Sequence, residues 1–199
     1  LVKIKTLPVG DYNWRVRVWN KSDEPSSWSD KGRFIITNVK ASFGESRWIG
    51  AITKADAHTP EGRIFHGSEM KKETVKAAWA AADSLSRKSI YVRTTFTSQQ
   101  KKVKQAVVNI CGLGLYELSI NGKKVGNSEF TPLISDYDKS VWYNTYDVTT
   151  LLQKGNNAIG VLLGNGFYNV QGGRYRKLLI SFGPPTVRLQ LTIHYEDGT

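Results

Sequence analysis

The stretch GLGLYELSINGKKVGNSEFTP, residues 112–132, decides the fold. It predicts a β-strand, a tight turn and a second strand, because Asn121-Gly122 is typical of two-residue hairpin turns in which both residues take positive φ. Gly112 and Gly114 precede or open the first strand, and a second polar turn, 126–128, follows the second strand. The extra backbone freedom has two interpretations: loops that face a ligand or a neighbouring domain, or ordinary strand connections.

The residues around this hairpin predict further short strands separated by turn signals. They are expected at residues 90–96, 104–110, 116–120, 123–125, 142–147, 158–163 and 186–195. Asp147 or Thr149 can cap a single helical turn at 150–153, which Gly155 ends. Strands of this length and spacing predict an all-β fold, an antiparallel β-sandwich of the jelly-roll, galactose-binding-like kind.

The amino-terminal part of the chain shows a different pattern. Residues 11–19 alternate, with Tyr12, Trp14, Val16 and Val18 on one face, which predicts a half-buried strand, and a second strand follows at 33–36. Two strands alone are marginal in water. The pattern resembles the last two strands of a fibronectin type III (Fn3) or similar immunoglobulin-like module. We therefore predict a partial Fn3-like domain at 1–37 and the jelly-roll sandwich at 41–199.

Between these regions, residues 69–85 are the one stretch with helical periodicity, and a long loop with one helical turn is the alternative. No apolar run approaches the roughly 20 residues that span a bilayer. The start of the chain shows no signal-peptide pattern. The last residues, 194–199, read as a strand entering a turn without its return strand. We expect a piece of a longer protein, with the sandwich truncated at its carboxyl end.

Charge and cysteine content limit the classes of function. The formal net charge of +11 raises nucleic acid as a partner, but the basic residues are scattered and no nucleic-acid-binding motif is present. The single cysteine, Cys111, lies in an apolar run and is predicted to be a small buried residue. One cysteine and the three histidines His58, His66 and His194 offer no zinc spacing.

Residues 111–170 carry a resemblance to a known family. They contain GLYELSINGKKVG, then DYDKSVWYNTYDVT, then NAIGVLLGNGFY, in that order. This series resembles the amino-terminal β-sandwich of bacterial α-L-rhamnosidases of glycoside hydrolase family 78, and the Fn3-like strands and residues 47–50 match the family's domain order. A looser similarity links the hairpin to the sugar-binding-like sandwiches of β-galactosidases and β-glucuronidases, but DYDK at 136–139 favours the rhamnosidases.

The resemblance implies that catalysis lies elsewhere. Rhamnosidases of this type invert the anomeric centre with two carboxylates on a separate (α/α)₆ barrel. That barrel would follow residue 199, so no catalytic residue is expected in this chain. The carboxylates that could act here instead are Glu117, Glu129, Asp136, Asp138 and Asp147. Several of them sit where Asp braces a turn or a helix start.

Jelly-roll modules of this kind can bind sugar through an aromatic face and a few polar groups. The candidate carbohydrate-binding residues are Asn127, Ser128, Tyr137, Asn165, Phe167, Tyr168 and Arg174. Each has a structural alternative, since Asn beside Gly makes left-handed turns and aromatic residues close sandwich ends. No cofactor is expected. Calcium is a weaker candidate, because the family often has Asp where this chain has Asn127.

The expected partners are L-rhamnose-containing glycans and the catalytic domain of the same polypeptide, without nucleic acid or membrane insertion. Export to the periplasm or cell surface follows from the resemblance alone. Two other interpretations stay open: a structural spacer without a ligand, and a sugar-binding-like domain of a β-galactosidase or β-glucuronidase relative.

Overall fold

The computed structural model describes residues 7–8, 10–36, 43–51, 64–66, 88–170 and 178–199. Every strand pairing among these residues is antiparallel. The backbone divides into two compact units, Leu1–Gly44 and Glu45–Thr199. The predicted helix at 69–85, together with His58 and Arg174, lies outside the described residues.

The first unit contains a two-stranded ribbon. Strand β1 (Gly10–Trp14) pairs with β2 (Gly32–Ile36). The Tyr12 and Phe34 rings, which face each other across the ribbon, stack with their centroids 5.4 Å apart. Cross-strand aromatic pairs of this kind stabilise a two-stranded ribbon.

Beyond β1, two serines and an arginine hold the chain. The Val16 N–H donates to Ser29 Oγ and the Val18 N–H to Ser26 Oγ, each at 3.1 Å. Arg17 lies between two indoles, with its Cζ 4.8 Å from the Trp19 ring centroid and 4.7 Å from that of Trp28. Trp14, Val16 and Val18, predicted on the buried face, are instead exposed, and the strand predicted at 11–19 ends at Trp14. The alternation was misleading because the cation–π contacts of Arg17 order the opposite face of the segment.

The described residues of the second unit form strands and a 3-10 turn at Thr149–Leu151. Its strands are β3 (Ile49–Gly50), β4 (Ile64–His66), β5 (Ile90–Ser98), β6 (Val103–Leu113), β7 (Leu115–Ile120), β8 (Lys123–Lys124), β9 (Asn144–Asp147), β10 (Gly155–Gly164), β11 (Asn169–Val170), β12 (Leu178–Ser181) and β13 (Thr186–Tyr195).

Two four-stranded sheets form a sandwich. Their strand orders are β5-β10-β7-β8 and β3-β13-β6-β9, and a smaller sheet has the order β11-β12-β4. Side chains from β6, β7, β10 and β13 make one core, whose fully buried members include Val108, Ile110, Leu118 and Leu163. The predicted all-β, antiparallel sandwich is confirmed for the described residues.

The chain crosses from one sheet to the other at Gly114, between β6 and β7. This residue has φ +119°, and a Cβ added to it would lie 2.2 Å from the carbonyl oxygen of Gly164. Only glycine avoids both the strained φ and the collision. The glycine before the hairpin therefore serves the crossover between the sheets.

The predicted hairpin is present, and its turn does more than reverse the chain. Asn121 (φ 51°) and Gly122 (φ 78°) form the turn. The Asn121 amide nitrogen donates to the Leu151 carbonyl and to Asn157 Oδ1, both at 2.9 Å, and its oxygen accepts from the Ala158 N–H at 2.9 Å. One side chain thus joins the hairpin, the 3-10 turn and β10.

Asn157, a buried residue near the start of β10, completes this polar network. It is 3% exposed. Its oxygen also accepts from the Gln153 N–H at 3.0 Å, and its amide nitrogen donates to the Gln153 and Gly155 carbonyls, each at 2.8 Å. Because a buried amide without partners is costly, the network holds the turn before β10 in one conformation.

We expect Asn121→Gly to lower the free energy of unfolding by about 2–4 kcal/mol, because it keeps the positive φ but leaves several part-buried groups without partners. Asn127→Gly, at an exposed asparagine in the next turn, should cost less than about 1 kcal/mol. Urea unfolding followed by tryptophan fluorescence measures both. Equal losses would show that the Asn121 side chain does not carry the network.

Candidate functional site

The best-formed cluster of predicted site residues joins two motifs at one end of the sandwich. Tyr137 and Tyr168 meet edge to face with ring centroids 5.1 Å apart, and Phe182 contacts both, at 5.3 and 5.7 Å. The Tyr168 hydroxyl donates to the Phe182 carbonyl at 3.0 Å. Burial raises the pKa of Tyr137. These two tyrosines are packed against each other, which reduces the ring surface left for a sugar.

Asn165 is held by its own turn. Its side-chain oxygen accepts from the amide nitrogen of Asn169 at 3.0 Å, and its carbonyl accepts from the Asn169 N–H at 3.2 Å. Asn169 is buried and lies at the start of β11. The arrangement positions Tyr168 between the two asparagines and gives Asn165 a bracing role.

The remaining described candidates are open to solvent. Asn127, Ser128 and Phe167 are all exposed. Gly126, before the first two, has φ +78° and lies against Tyr146, because a Cβ there would be 2.8 Å from the Tyr146 ring. The structure therefore brings together Tyr137, Tyr168 and Asn165's turn, whereas the 126–129 turn lies on Tyr146.

Tyr146 belongs to a polar clamp that connects the two sheets. The Tyr116 hydroxyl, on β7, donates to Asn144 Oδ1 on β9 at 2.7 Å and lies 3.4 Å from the Tyr146 hydroxyl. Burial is the main cause that raises the pKa of Tyr116, so its hydroxyl stays neutral and available as a donor.

The carboxylates are engaged in surface pairs and turns. Glu117 and Glu129 share the Lys124 ammonium, at 3.1 and 2.8 Å. Asp136 pairs with Lys139 at 2.8 Å, and this hydrogen bond lowers the pKa of the aspartate. A glycosidase general acid needs a raised pKa in a sheltered pocket, which is the opposite environment.

Asp147 braces the helical turn near the predicted place, but the turn is a 3-10 turn at Thr149–Leu151 rather than 150–153, and its N-cap is Val148, which makes no side-chain cap hydrogen bond. Asp147 Oδ1 accepts from the Thr149 N–H at 3.0 Å and from the Thr149 hydroxyl at 2.6 Å. The Thr149 hydroxyl oxygen in turn accepts from the Ala106 N–H at 2.9 Å. This carboxylate thereby connects the turn to β6.

A pocket of about 260 Å³ opens between the two sheets. Its described lining residues are Ile49, Val92, Arg93, Thr94, Ile159, Val161, Val187 and Leu189. None of these lining residues is an Asp or a Glu. They therefore cannot supply the pair of carboxyl groups that glycoside hydrolysis requires. In the ranges that the structure describes, no three His, Cys, Asp or Glu side chains are grouped closely enough to hold a metal ion.

A group of exposed apolar side chains escaped the sequence predictions. It lies on the long connection between β8 and β9, in the segment 130–142, and we call it the apolar loop surface. Its members are Phe130, Leu133, Ile134, Val141 and Trp142. Trp142 was predicted inside a strand, but β9 begins at Asn144 and the indole is exposed. The signal in the sequence that could have indicated this exposed group was the presence of several large apolar residues in segment 130–142 without strand alternation.

Cys111 lies under this loop. It is 3% exposed, and its thiol donates to the Trp142 carbonyl at 3.3 Å. Burial raises the pKa of the thiol to about 11, against a smaller opposing effect of Arg188. The prediction of a small buried residue is confirmed, and the thiol is unreactive at neutral pH.

Comparison with known proteins identifies the kind of domain. Residues 101–199 match the family described as the alpha-L-rhamnosidase N-terminal domain. An α-L-rhamnosidase of Formosa agariphila is 38% identical over 193 residues, which cover 94% of this chain and 19% of that protein. The chain thus spans about a fifth of the length of such relatives.

Solved structures agree with this match. The α-L-rhamnosidase of Dictyoglomus thermophilum superposes with a TM-score of 0.58 at 30% identity, over 98% of this chain and 20% of that one. The Streptomyces avermitilis α-L-rhamnosidase, solved in complex with L-rhamnose, gives a TM-score of 0.66 at 19% identity, over 98% and 32% of the two chains. The second likeness shows the fold alone. The described part of this chain contains no helix with the length and apolar character to cross a bilayer.

We expect Tyr168→Ala to lower the free energy of unfolding by about 2–3 kcal/mol, because it removes two ring contacts and a hydrogen bond. The neighbouring Phe167→Ala, at an exposed ring, should cost less than about 1 kcal/mol. Chemical denaturation compares the two variants. If Tyr168→Ala proved as mild as Phe167→Ala, packing would not be the main role of Tyr168.

We expect Ellman's reagent to label native Cys111 at pH 8 at least about 100-fold more slowly than the unfolded chain. Raising the pKa from 9.0 to about 11 reduces the thiolate fraction by this factor. The same reaction in denaturant is the control, and comparable rates in the two states would contradict the buried, neutral thiol.

The same thiol has a consequence for stability. The unfolded thiol loses its proton near pH 9, whereas the folded thiol keeps it to about 11. Its contribution is therefore fully present below about pH 9 and is lost as the pH rises to about 11. Cys111→Ala should flatten this part of the profile of unfolding free energy against pH.

Proposed function

Residues 101–199 of this chain belong to the α-L-rhamnosidase N-terminal domain family, and from this premise we propose that the chain is a non-catalytic accessory part of an enzyme that releases terminal α-L-rhamnose. The hydrolytic acids would then lie in another domain of the same polypeptide. The family match supports this interpretation over the alternative of a β-galactosidase or β-glucuronidase relative.

The observation that carries the proposal is the state of four of the five carboxylates that the sequence singled out as possible acids; the fifth, Asp138, is exposed to solvent. Glu117 and Glu129 are bridged by one lysine on an open surface, Asp136 is paired with Lys139, and Asp147 braces a turn. Inversion requires two carboxyl groups that face each other across a pocket, roughly 6.5–9.5 Å apart, with one of them kept protonated. The surroundings of these acids support a role outside the chemistry.

Sugar capture is a second candidate function, favoured by the exposure of an aromatic ring and of polar side chains in two turns. Phe167 in one turn, and Asn127 and Ser128 in the other, are exposed, and they are the residue types that contact saccharides. Tyr137, Tyr168 and Asn165 are less available to a sugar. The two tyrosine rings pack against each other, and the Asn165 side chain accepts a hydrogen bond from Asn169. Arg174 and a calcium ion remain predictions of the sequence, as does export of the parent enzyme.

We expect the full-length parent protein to hydrolyse an aryl α-L-rhamnoside and this chain alone to show no turnover. In the full-length protein, Glu117→Gln and Glu129→Gln should leave kcat within about twofold of the original, because neither side chain would take part in proton transfer. Loss of activity by more than about 100-fold in either variant would contradict the non-catalytic role.

Titration calorimetry with L-rhamnose, with and without calcium, separates the two roles of the domain. A spacer predicts no saturable heat, whereas sugar capture predicts saturation that Phe167→Ala weakens. Tyr91→Ala, at an exposed tyrosine on the outer face of β5, is the matched control.

A further inference from the structure

We propose that the apolar loop surface is the contact through which this domain docks onto another domain of its own polypeptide. The inference rests on the proposed function, since it requires a parent enzyme that extends beyond this chain. It names the partner as an apolar protein surface rather than a sugar or a second copy of the chain.

The first step is the amount of apolar side chain that the loop leaves in water. Phe130 is 80% exposed, Leu133 74% and Trp142 60%. Ile134 and Val141 are exposed beside them in the sequence. Single exposed apolar residues are ordinary, but a group of five in thirteen residues is typical of a surface that is covered in the complete protein.

The second step is that the loop is held in place. At its start, the Tyr116 N–H donates to the Thr131 carbonyl at 2.7 Å, and the Thr131 hydroxyl donates back to the Tyr116 carbonyl at 3.1 Å. Within the loop, the Trp142 N–H donates to Ser135 Oγ at 3.1 Å, which joins its two halves to each other. Fixed anchors mean that Phe130 and Trp142 are presented without the ordering cost that a loose loop would carry on binding.

A third anchor connects the surface to the core. The Cys111 thiol of β6 donates to the Trp142 carbonyl at 3.3 Å, and Pro132 is buried. Both ends of the loop therefore rest on strands of the central sandwich. A partner that binds here is held rigidly relative to both sheets.

The chemistry of the surface favours a protein partner over a saccharide. Leu133, Ile134 and Val141 offer neither a ring face nor a hydrogen bond, whereas sugar sites combine one or two aromatic rings with several polar groups. Asp136 and Lys139, in the same segment, pair with each other at 2.8 Å. Large apolar and aromatic side chains are typical of the centre of a protein–protein contact.

Two observations favour another domain of the same chain over a second copy. Relatives are about five times as long as this chain, so most of their length is available to cover the loop. The net charge of +11 also opposes self-association, because two equally charged copies repel each other. Covalent linkage further raises the effective concentration of an intramolecular partner.

Hydroxyl-radical footprinting of the full-length parent protein tests the proposal without using its activity. For each residue, the oxidation rate in the native protein is compared with the rate in urea. We expect at least about tenfold protection of Phe130, Leu133 and Trp142. This is similar to the protection expected for Tyr195, which is buried in this domain. Protection of less than about twofold at all three would overturn the proposal.

A matched pair of leucines supplies the variants. Leu133→Asp in the full-length protein should raise the oxidation rate of Phe130 and Trp142 at least about fivefold, with Tyr195 unchanged. Leu162→Asp, at an exposed leucine on the outer face of β10, should leave both rates as they were. If Leu133→Asp left Phe130 and Trp142 protected, the loop would not be a docking surface.

The remaining outcomes separate the explanations. Protection that grows with protein concentration, with a doubled mass in sedimentation, would assign the surface to a second copy and overturn the intramolecular partner. A protected loop in a protein that hydrolyses no rhamnoside would contradict the proposed function but leave the docking surface standing. An active enzyme with an unprotected loop would support the proposed function and overturn the docking surface.

Discussion

The Asn121 side chain is the constraint on which the sandwich depends. Its three hydrogen bonds, all at 2.9 Å, join the hairpin turn to Leu151, Asn157 and Ala158. A glycine could adopt the same backbone conformation, but it could not connect the turn to β10. Because Asn157 is buried and fully engaged, any shift of the hairpin relative to β10 would leave polar groups without partners.

A second set of polar contacts transmits this order to the surface. Tyr116 connects β7 to β9 through Asn144, and its backbone holds Thr131 at the start of the apolar loop surface. Cys111 supports Trp142 at the other end. The exposed apolar residues are thus carried on an ordered part of the sandwich, as the proposed docking contact requires.

The candidate sugar site shows why polar and aromatic residues beside glycine are ambiguous in a sequence. GNGFY and DYDK do approach each other, as Tyr137 and Tyr168 demonstrate, but they meet by packing ring against ring. Asn165 braces the turn that contains Tyr168. Phe167, the residue before Tyr168, is exposed to solvent, and strand periodicity could not decide this because the segment is a turn.

Local patterns in the sequence predicted the longer strands, the Asn-Gly turn, the buried Cys111 and a helical turn after Asp147, since each follows from short-range backbone preference or from alternation. They did not predict the short strands β3, β4, β11 and β12, which exist only through pairing with distant residues. The tertiary structure alone decided the pairing order, the crossover at Gly114 and the partners of Asn121. It also decided that Val16, Val18 and the apolar loop residues face water. The physical reason is that burial depends on what packs above a side chain, and residues distant in sequence supply that layer.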